Sequence, residues 1–184
     1  MPHPELIFVT GSTGFLGARL VSDLLELHPA ASLALLVRGK PGQDPRARVT
    51  AFVHERHLPR VQVFSGDVTL PNLGLSAEDS ARLASSVTRV IHSAATVRFD
   101  HTLDEASLIN IDGTRRVLDF AAQASNLRSF TYIGTAYVAG DRTGLVREDE
   151  LDAGQGFRNT YEQTKCQAEA LVRSRIASLP TVIL

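Results

Sequence analysis

The chain has 184 residues, 43% of them hydrophobic and 21% charged, a composition ordinary for a single folded domain with a real core. Nineteen basic and 20 acidic side chains leave a net charge of −1, which argues against an electrostatic nucleic-acid binder, and no run approaches the ~18 apolar residues of a membrane span. One cysteine, Cys166, cannot form an internal disulfide and fits a reducing, cytoplasmic setting, and Met1-Pro2-His3-Pro4-Glu5 has neither the basic region nor the cleavage pattern of a secretory leader.

Leu6-Ile7-Phe8-Val9 reads as a buried strand. Residues 14–27 read as a helix with an apolar stripe of Leu16, Leu20, Val21, Leu24, Leu25 and Leu27, ended by Pro29. Residues 33–37 give a second strand, 45–57 a basic helical stretch, and 61–64 a third strand closed by Gly66. Residues 76–87 are a weaker helix and 89–92 a fourth strand. A long amphipathic helix is predicted over 103–124, with Leu108, Ile111, Val117, Leu118 and Ala121 inward. Residues 129–133 are a fifth strand, 139–158 a loop with four glycines, 160–178 a helix and 181–184 a sixth strand. Strands without polar alternation, separated by helices, predict an α/β fold: a doubly wound parallel sheet of about six strands, Rossmann-like, with helices on both faces.

Thr10-Gly11-Ser12-Thr13-Gly14-Phe15-Leu16-Gly17 lies between the first strand and the first helix, the context a dinucleotide fingerprint requires. Gly11 permits the tight turn, Gly14 removes a Cβ from the path of a pyrophosphate, and Gly17 lets the helix pack closely. Thr13, Phe15 and Leu16 belong to the same candidate site, where the helix start offers unpaired N–H groups and a positive dipole end. The second strand ends Val37-Arg38-Gly39-Lys40, without the acid that usually holds a ribose 2′-hydroxyl. Arg38 can instead pair with a 2′-phosphate, which predicts NADP(H) over NAD(H); Lys40 and Arg48 are further candidate cations.

These residues, with Gly66-Asp67-Val68, His92-Ser93-Ala94-Ala95, Asn110-Ile111-Asp112-Gly113-Thr114 and Tyr161-Glu162-Gln163-Thr164-Lys165, resemble the extended short-chain dehydrogenase/reductase family in family order. The stretch HSAATVRFD from His92 to Asp100, with Gly134-Thr135-Ala136-Tyr137-Val138 and the Tyr-Glu-Gln-Thr-Lys signature, resembles its thioester reductase and fatty acyl-CoA reductase branch. The resemblance implies that Asp67 and Val68 contact adenine and that Ala94 and Ala95 pass under the nicotinamide-side ribose. It makes Thr135, Tyr161 and Lys165 the catalytic residues. Tyr161 and Lys165 are i and i+4 on one helix face, within about 6 Å. A free phenol titrates near ~10, and a neighbouring ammonium favours its phenolate. Lys165 is also placed to hold ribose hydroxyls.

The implied activity is NADPH-dependent reduction of an acyl thioester, on coenzyme A or a carrier-protein arm, to an aldehyde, with a second hydride giving the alcohol. The alternatives are a sugar-nucleotide epimerase or dehydratase, a hydroxysteroid-type dehydrogenase, or a non-catalytic NADP-binding module. Residues 1–184 are expected to form the NAD(P)-binding part, ending before the C-terminal substrate-binding segment of extended members and leaving the sixth strand as an apolar edge for a further segment or partner. Such a chain is expected to turn over poorly by itself. No metal site is expected: His54 and His57 lack convergent ligands and read as a solvated face. Cys166 reads as helix packing. His92 reads equally as a cofactor contact or a hydrogen-bonded strand-end histidine, and Glu148-Asp149-Glu150 as a solvated turn in a loop able to act as a lid.

Overall fold

The computed structural model describes residues 5–184; the leader reading of Met1 to Pro4 lies outside them. Six strands, β1 (Leu6–Thr10), β2 (Ser32–Val37), β3 (Val61–Ser65), β4 (Arg89–His92), β5 (Ser129–Tyr132) and β6 (Thr181–Ile183), form one sheet in the order β3-β2-β1-β4-β5-β6. Every pairing is parallel. The six-stranded, Rossmann-like sheet expected from the sequence is therefore present, and the strand order reverses between β1 and β4, where open α/β sheets bind ligands.

All five residues of β1 are buried because both faces of the sheet are covered. Ile7, Val9, Leu33 and Leu35 face one core with Val21 and Leu25 of α1 (Phe15–Leu27) and Val49 of α2 (Pro45–Thr50). Leu6, Phe8, Val90 and Phe130 face the other. There they meet Leu83 of α3 (Ala77–Ser86), Val117 and Leu118 of α5 (Gly113–Gln123), and Ala168 and Val172 of α6 (Thr160–Arg173).

Several boundaries differ from the sequence reading. The buried line of α1 is Gly17, Val21 and Leu25, whereas Leu16 and Leu27 are exposed: Gly17 packs against the turn and rotates the leucine stripe partly outward. The basic stretch is not one helix. After α2 the chain leaves helical geometry and forms a 3-10 turn at Glu55–Arg60 that contains Pro59, since proline cannot donate inside a helix. The long helix is α4 (Leu103–Ser107), a π-helical turn at Leu108–Asp112, and α5. Its extra residue turns Leu108 outward, 43% exposed, while Val117, Leu118 and Ala121 are buried as expected. The helix of α6 stops at Arg173, and residues 174–179 close it with turns.

Candidate functional site

β1 delivers the chain into a turn that only glycine can make. Gly11 has φ +72°, and a Cβ there would sit 2.6 Å from the Ala94 amide nitrogen in the loop after β4. A Cβ on Gly17 would stand 2.1 Å from the Gly11 carbonyl oxygen. The first turn of α1 thus lies directly on the loop that feeds it. No side chain caps Gly14, and the Ala18 amide makes the first helical bond to its carbonyl at 2.9 Å. The Gly14 amide turns back to the Gly11 carbonyl at 3.0 Å, and those of Phe15, Leu16 and Gly17 are left to a ligand or to solvent.

A cavity of about 570 Å³ opens here. It brings together Gly11, Thr13, Gly14, Arg38, Asp67, Val68, Ala94 and Ala95 of the candidate residues. Phe15, Leu16 and Gly17 do not line it. The Phe15 side chain is fully exposed and Leu16 half-exposed, so these positions offer backbone amides rather than side chains, and Gly17 is spent on packing. Lys40 and Arg48 do line it, as do Arg98 and His101, which the sequence reading did not single out. Arg48 ties two candidate residues together: Nη2 donates to Thr13 Oγ1 at 2.8 Å and Nη1 to the Arg38 carbonyl. Three cations gather at the β2 end, and Asp67 stands beside one of them, its Oδ2 3.9 Å from Arg38 Nε. The Asp67 carboxylate is held by the Thr69 amide and hydroxyl at 2.8 and 2.9 Å. Behind it Asn72 and Leu73 adopt left-handed φ of 52° and 59°. That strain is held in place by the burial of Leu73 and by the 2.8 Å bond from the Asp67 amide to the Leu73 carbonyl.

His92, left open between two roles, is a buried structural relay. Thr114 Oγ1 donates to the Asn110 carbonyl at 2.6 Å and so accepts from His92 Nε2 at 2.9 Å. Nδ1 is then the acceptor for the Thr10 hydroxyl at 2.7 Å, whose oxygen takes the Ala94 amide at 3.3 Å. The chain of donors fixes the loop against which Gly11 rests. Burial, helped by the charge of Lys165, pushes the imidazole down to about 3, so it is neutral. Nearby, Asn110 Oδ1 accepts the Thr96 amide at 2.8 Å, and its Nδ2 donates to Thr164 Oγ1 at 3.0 Å. Asn110 thereby links the β4 loop to α6.

Thr135, Tyr161 and Lys165 do not line this cavity. Thr160, at the start of α6, donates to the His101 carbonyl at 3.0 Å, which seats this helix against the cavity wall. Tyr161 and Lys165 face inward on α6, 9% and 4% exposed. Lys165 Nζ donates to the Ile133 carbonyl at 2.7 Å and lies 4.2 Å from the Tyr132 ring centroid. Desolvation lowers its pKa to about 8, against an opposing pull from Glu169. Thr135 follows β5 by three residues and its oxygen accepts the Tyr137 amide at 3.2 Å, which leaves its O–H free to donate.

The weaker candidates resolve locally. Cys166 is buried against the Leu151 carbonyl, and burial pushes its thiol up. His57 is engaged by Glu26 and Arg60 at 3.0 and 2.8 Å. The loop over 139–158 is pinned rather than loose. Gln155 donates to the Val138 and Leu151 carbonyls, Arg158 to Gly140, and Arg173 to Glu148 and Asp149. Glu148, Asp149 and Glu150 are exposed. No helix among the described residues is long and apolar enough to cross a membrane.

Residues 9–184 match the family described as Male sterility protein. The chain is similar to fatty acyl-CoA reductase 1 of Mus musculus, 35% identical over 215 residues that cover 97% of this chain and 42% of that protein. Among solved structures it resembles the terminal R domain from the myxalamid PKS-NRPS biosynthetic pathway, with TM-score 0.88, 31% identity, all of this chain and 49% of that one. It also resembles UDP-glucuronic acid 4-epimerase from Bacillus cereus, with TM-score 0.74, 27% identity, 97% of this chain and 55% of that one. The chain spans about two fifths of the length of the mouse reductase it matches.

Proposed function

Because the chain belongs to the male sterility protein family, within the fatty acyl-CoA and thioester reductase branch of the extended short-chain dehydrogenases/reductases, we propose that it is the dinucleotide-binding part of an NADPH-dependent reductase acting on acyl thioesters. The observation that carries this reading is a buried Lys165 one helical turn after Tyr161, its Nζ on the Ile133 carbonyl two residues before Thr135, at the carboxyl edge of the sheet. In this reading residues 1–184 precede a substrate-binding segment, and the substrate arrives as acyl-coenzyme A or on a carrier arm.

The cavity fits a nicotinamide dinucleotide. Gly14 lines the cavity without a Cβ, and one added there would stand 3.3 Å from the Gly11 carbonyl oxygen. The α1 amides supply donors for the diphosphate, Asp67 and Val68 flank the adenine end, and Ala94 and Ala95 leave room for the ribose. Arg38, with Lys40 and Arg48, supplies the positive charge that favours a 2′-phosphate and so NADPH over NADH. When bound, the reduced cofactor supplies a hydride equivalent to the carbonyl carbon.

The chain's own groups handle the oxygen. The free O–H of Thr135 donates to the carbonyl oxygen and orients it. Tyr161 Oη donates the proton that the oxygen needs as negative charge develops there. Lys165, held by the Ile133 carbonyl at 2.7 Å, keeps a positive charge under this region below about pH 8. Loss of thiol from the tetrahedral adduct leaves the aldehyde; a second round gives the alcohol.

The test is cofactor oxidation by the protein together with its substrate-binding segment, offered acyl-coenzyme A, a carrier-bound thioester and nucleotide sugars. Thioester-dependent oxidation that falls at least a thousandfold in Tyr161→Phe, with NADPH affinity retained, supports the proposal. Turnover of nucleotide sugars alone would instead favour the epimerase-like reading, which the likeness to the Bacillus cereus enzyme keeps as its rival.

A further inference from the structure

We propose that Glu169 is a positioning residue for the reduction: its carboxylate, one turn along α6 from Lys165, is the counter-charge that keeps a buried ammonium next to Tyr161. What that ammonium does for turnover rests on the reductase reading above; the pairing of the two charges does not.

Glu169 is a buried acid that the chemistry above leaves unused. It is 5% exposed and Lys165 4%, and the i, i+4 spacing puts both on one face of α6 with their Cβ atoms about 6 Å apart. Two elements aim the carboxylate. From its own helix, Arg173 donates through Nε and Nη2 to Oε1 at 3.0 and 2.8 Å. Oε2 faces the chain just after β5, where a Cβ on Gly134 would stand 3.3 Å from it. Gly134 thus leaves room for an acid at the segment that carries Thr135. Lys165 Nζ reaches the same segment one residue earlier, at the Ile133 carbonyl, 2.7 Å away. Cation and anion therefore approach adjoining residues of one strand exit from one helix.

Among the described residues, the titratable groups around Lys165 come from the sheet and from α6. His92 of β4 is neutral through burial, and the ring of Tyr132 of β5 lies 4.2 Å from Nζ. On α6 stand Tyr161, Glu162, Cys166 and Glu169, all buried. Glu162 is engaged elsewhere, by the Arg158 amide at 3.0 Å and Asn159 Nδ2 at 3.3 Å. Cys166 turns to the Leu151 carbonyl, and the loop charges Arg142 and Asp152 bear on that thiol. Glu169 is left as the anion facing Lys165: burial works against the ammonium, and the charge of Glu169 works for it. A carboxylate costs too much to bury for nothing, and its bond to Arg173 accounts for Oε1 but not for the direction of Oε2.

Nuclear magnetic resonance of the lysine Cε signals tests this. The chain has two lysines, Lys40 and Lys165, and the signal that Lys165→Arg removes is the buried one. In Glu169→Gln, which keeps an acceptor for Arg173, its titration midpoint should fall by about one pH unit, as loss of one charge at this spacing dictates. Glu169→Asp keeps the charge and should hold the midpoint within about half a unit of wild type. Where an unpaired Arg173 unseats the fold, Glu169→Gln/Arg173→Gln removes both charges, and the midpoint should still fall, because the carboxylate is the nearer of the two. Turnover of the protein together with its substrate-binding segment supplies the second readout. The loss in Glu169→Gln should be about tenfold larger at about pH 9 than at about pH 6. A midpoint that moves in neither Gln variant overturns the proposal, and so does a loss of turnover equal at both pH values. A midpoint that moves in a protein that reduces no thioester supports the charge pairing and removes the reductase reading.

Discussion

The Thr10 hydroxyl of β1 donates to His92 Nδ1 of β4 across 2.7 Å, with both side chains buried. Two adjacent strands are thus locked at the ends where the cavity opens. The bond requires a neutral imidazole, and protonation would set an N–H against the hydroxyl hydrogen.

Acid should therefore act through His92. Its native pKa lies near 3 and its unfolded value near ~6.5, so the unfolded chain takes the proton first. The contribution is complete above about pH 6.5 and is lost as pH falls toward 3, on the order of 4–5 kcal/mol over that window. Urea unfolding of wild type and His92→Gln across this range should show the extra acid slope in wild type alone.

Lys165 works in the opposite pH range. Its native pKa is near 8 against ~10.4 unfolded. Between these values the unfolded chain again binds more protons, so wild-type stability rises with pH there and is flat below. Relative to Lys165→Met, wild type should gain about 3 kcal/mol between pH 7 and pH 10.5. Turnover should decline above about pH 8 as the ammonium is lost. A stability difference that does not move with pH contradicts the buried placement of Nζ.

Tyr132 carries the opposite kind of burden. Its hydroxyl is buried with no hydrogen-bond partner among the described residues, and burial pushes its pKa up. Tyr132→Phe keeps the ring under Lys165 and removes the orphan, so it should stabilise the fold by about 1 kcal/mol. Thermal denaturation reads this directly, and a loss of stability would reveal a partner for the hydroxyl.

At the cofactor end, Arg38→Ala should weaken NADPH about ten- to a hundredfold while NADH changes little, the size expected for a charged hydrogen bond. Arg48→Ala should give a smaller loss in the same direction. Combined with Arg38→Ala it should add less than its own effect, because Arg48 holds the Arg38 carbonyl. Equal affinity of wild type for both cofactors would remove the role assigned to Arg38.

The regular parts of this chain were legible because their patterns are local. Unbroken apolar runs marked β1 and β2, and the spacing Gly11, Gly14, Gly17 between strand and helix marked the turn. What escaped depends on distance in space. Arg48 follows Arg38 by ten residues, and nothing in its helix announces that its guanidinium reaches Thr13. Thr10 and Thr114 lie 104 positions apart and are related only through the ring of His92. Leu108 matched the apolar period, yet the period itself changes at that point, and a pattern read at 3.6 residues per turn cannot register one added residue.

That added residue behaves as an insertion held in place by what it aims. The π turn at Leu108–Asp112 lets α4 and α5 continue along one axis while Asn110 points toward Thr96 and Thr164. Deleting a single residue within it would restore ordinary helical winding and turn one half by about 100° against the other. Both helices would survive, yet the amide of Asn110 would swing off α6 and the β4 loop. A one-codon deletion here should thus yield a helical protein with its far-ultraviolet signature intact and its cofactor cavity unseamed, a lesion of phase rather than of content.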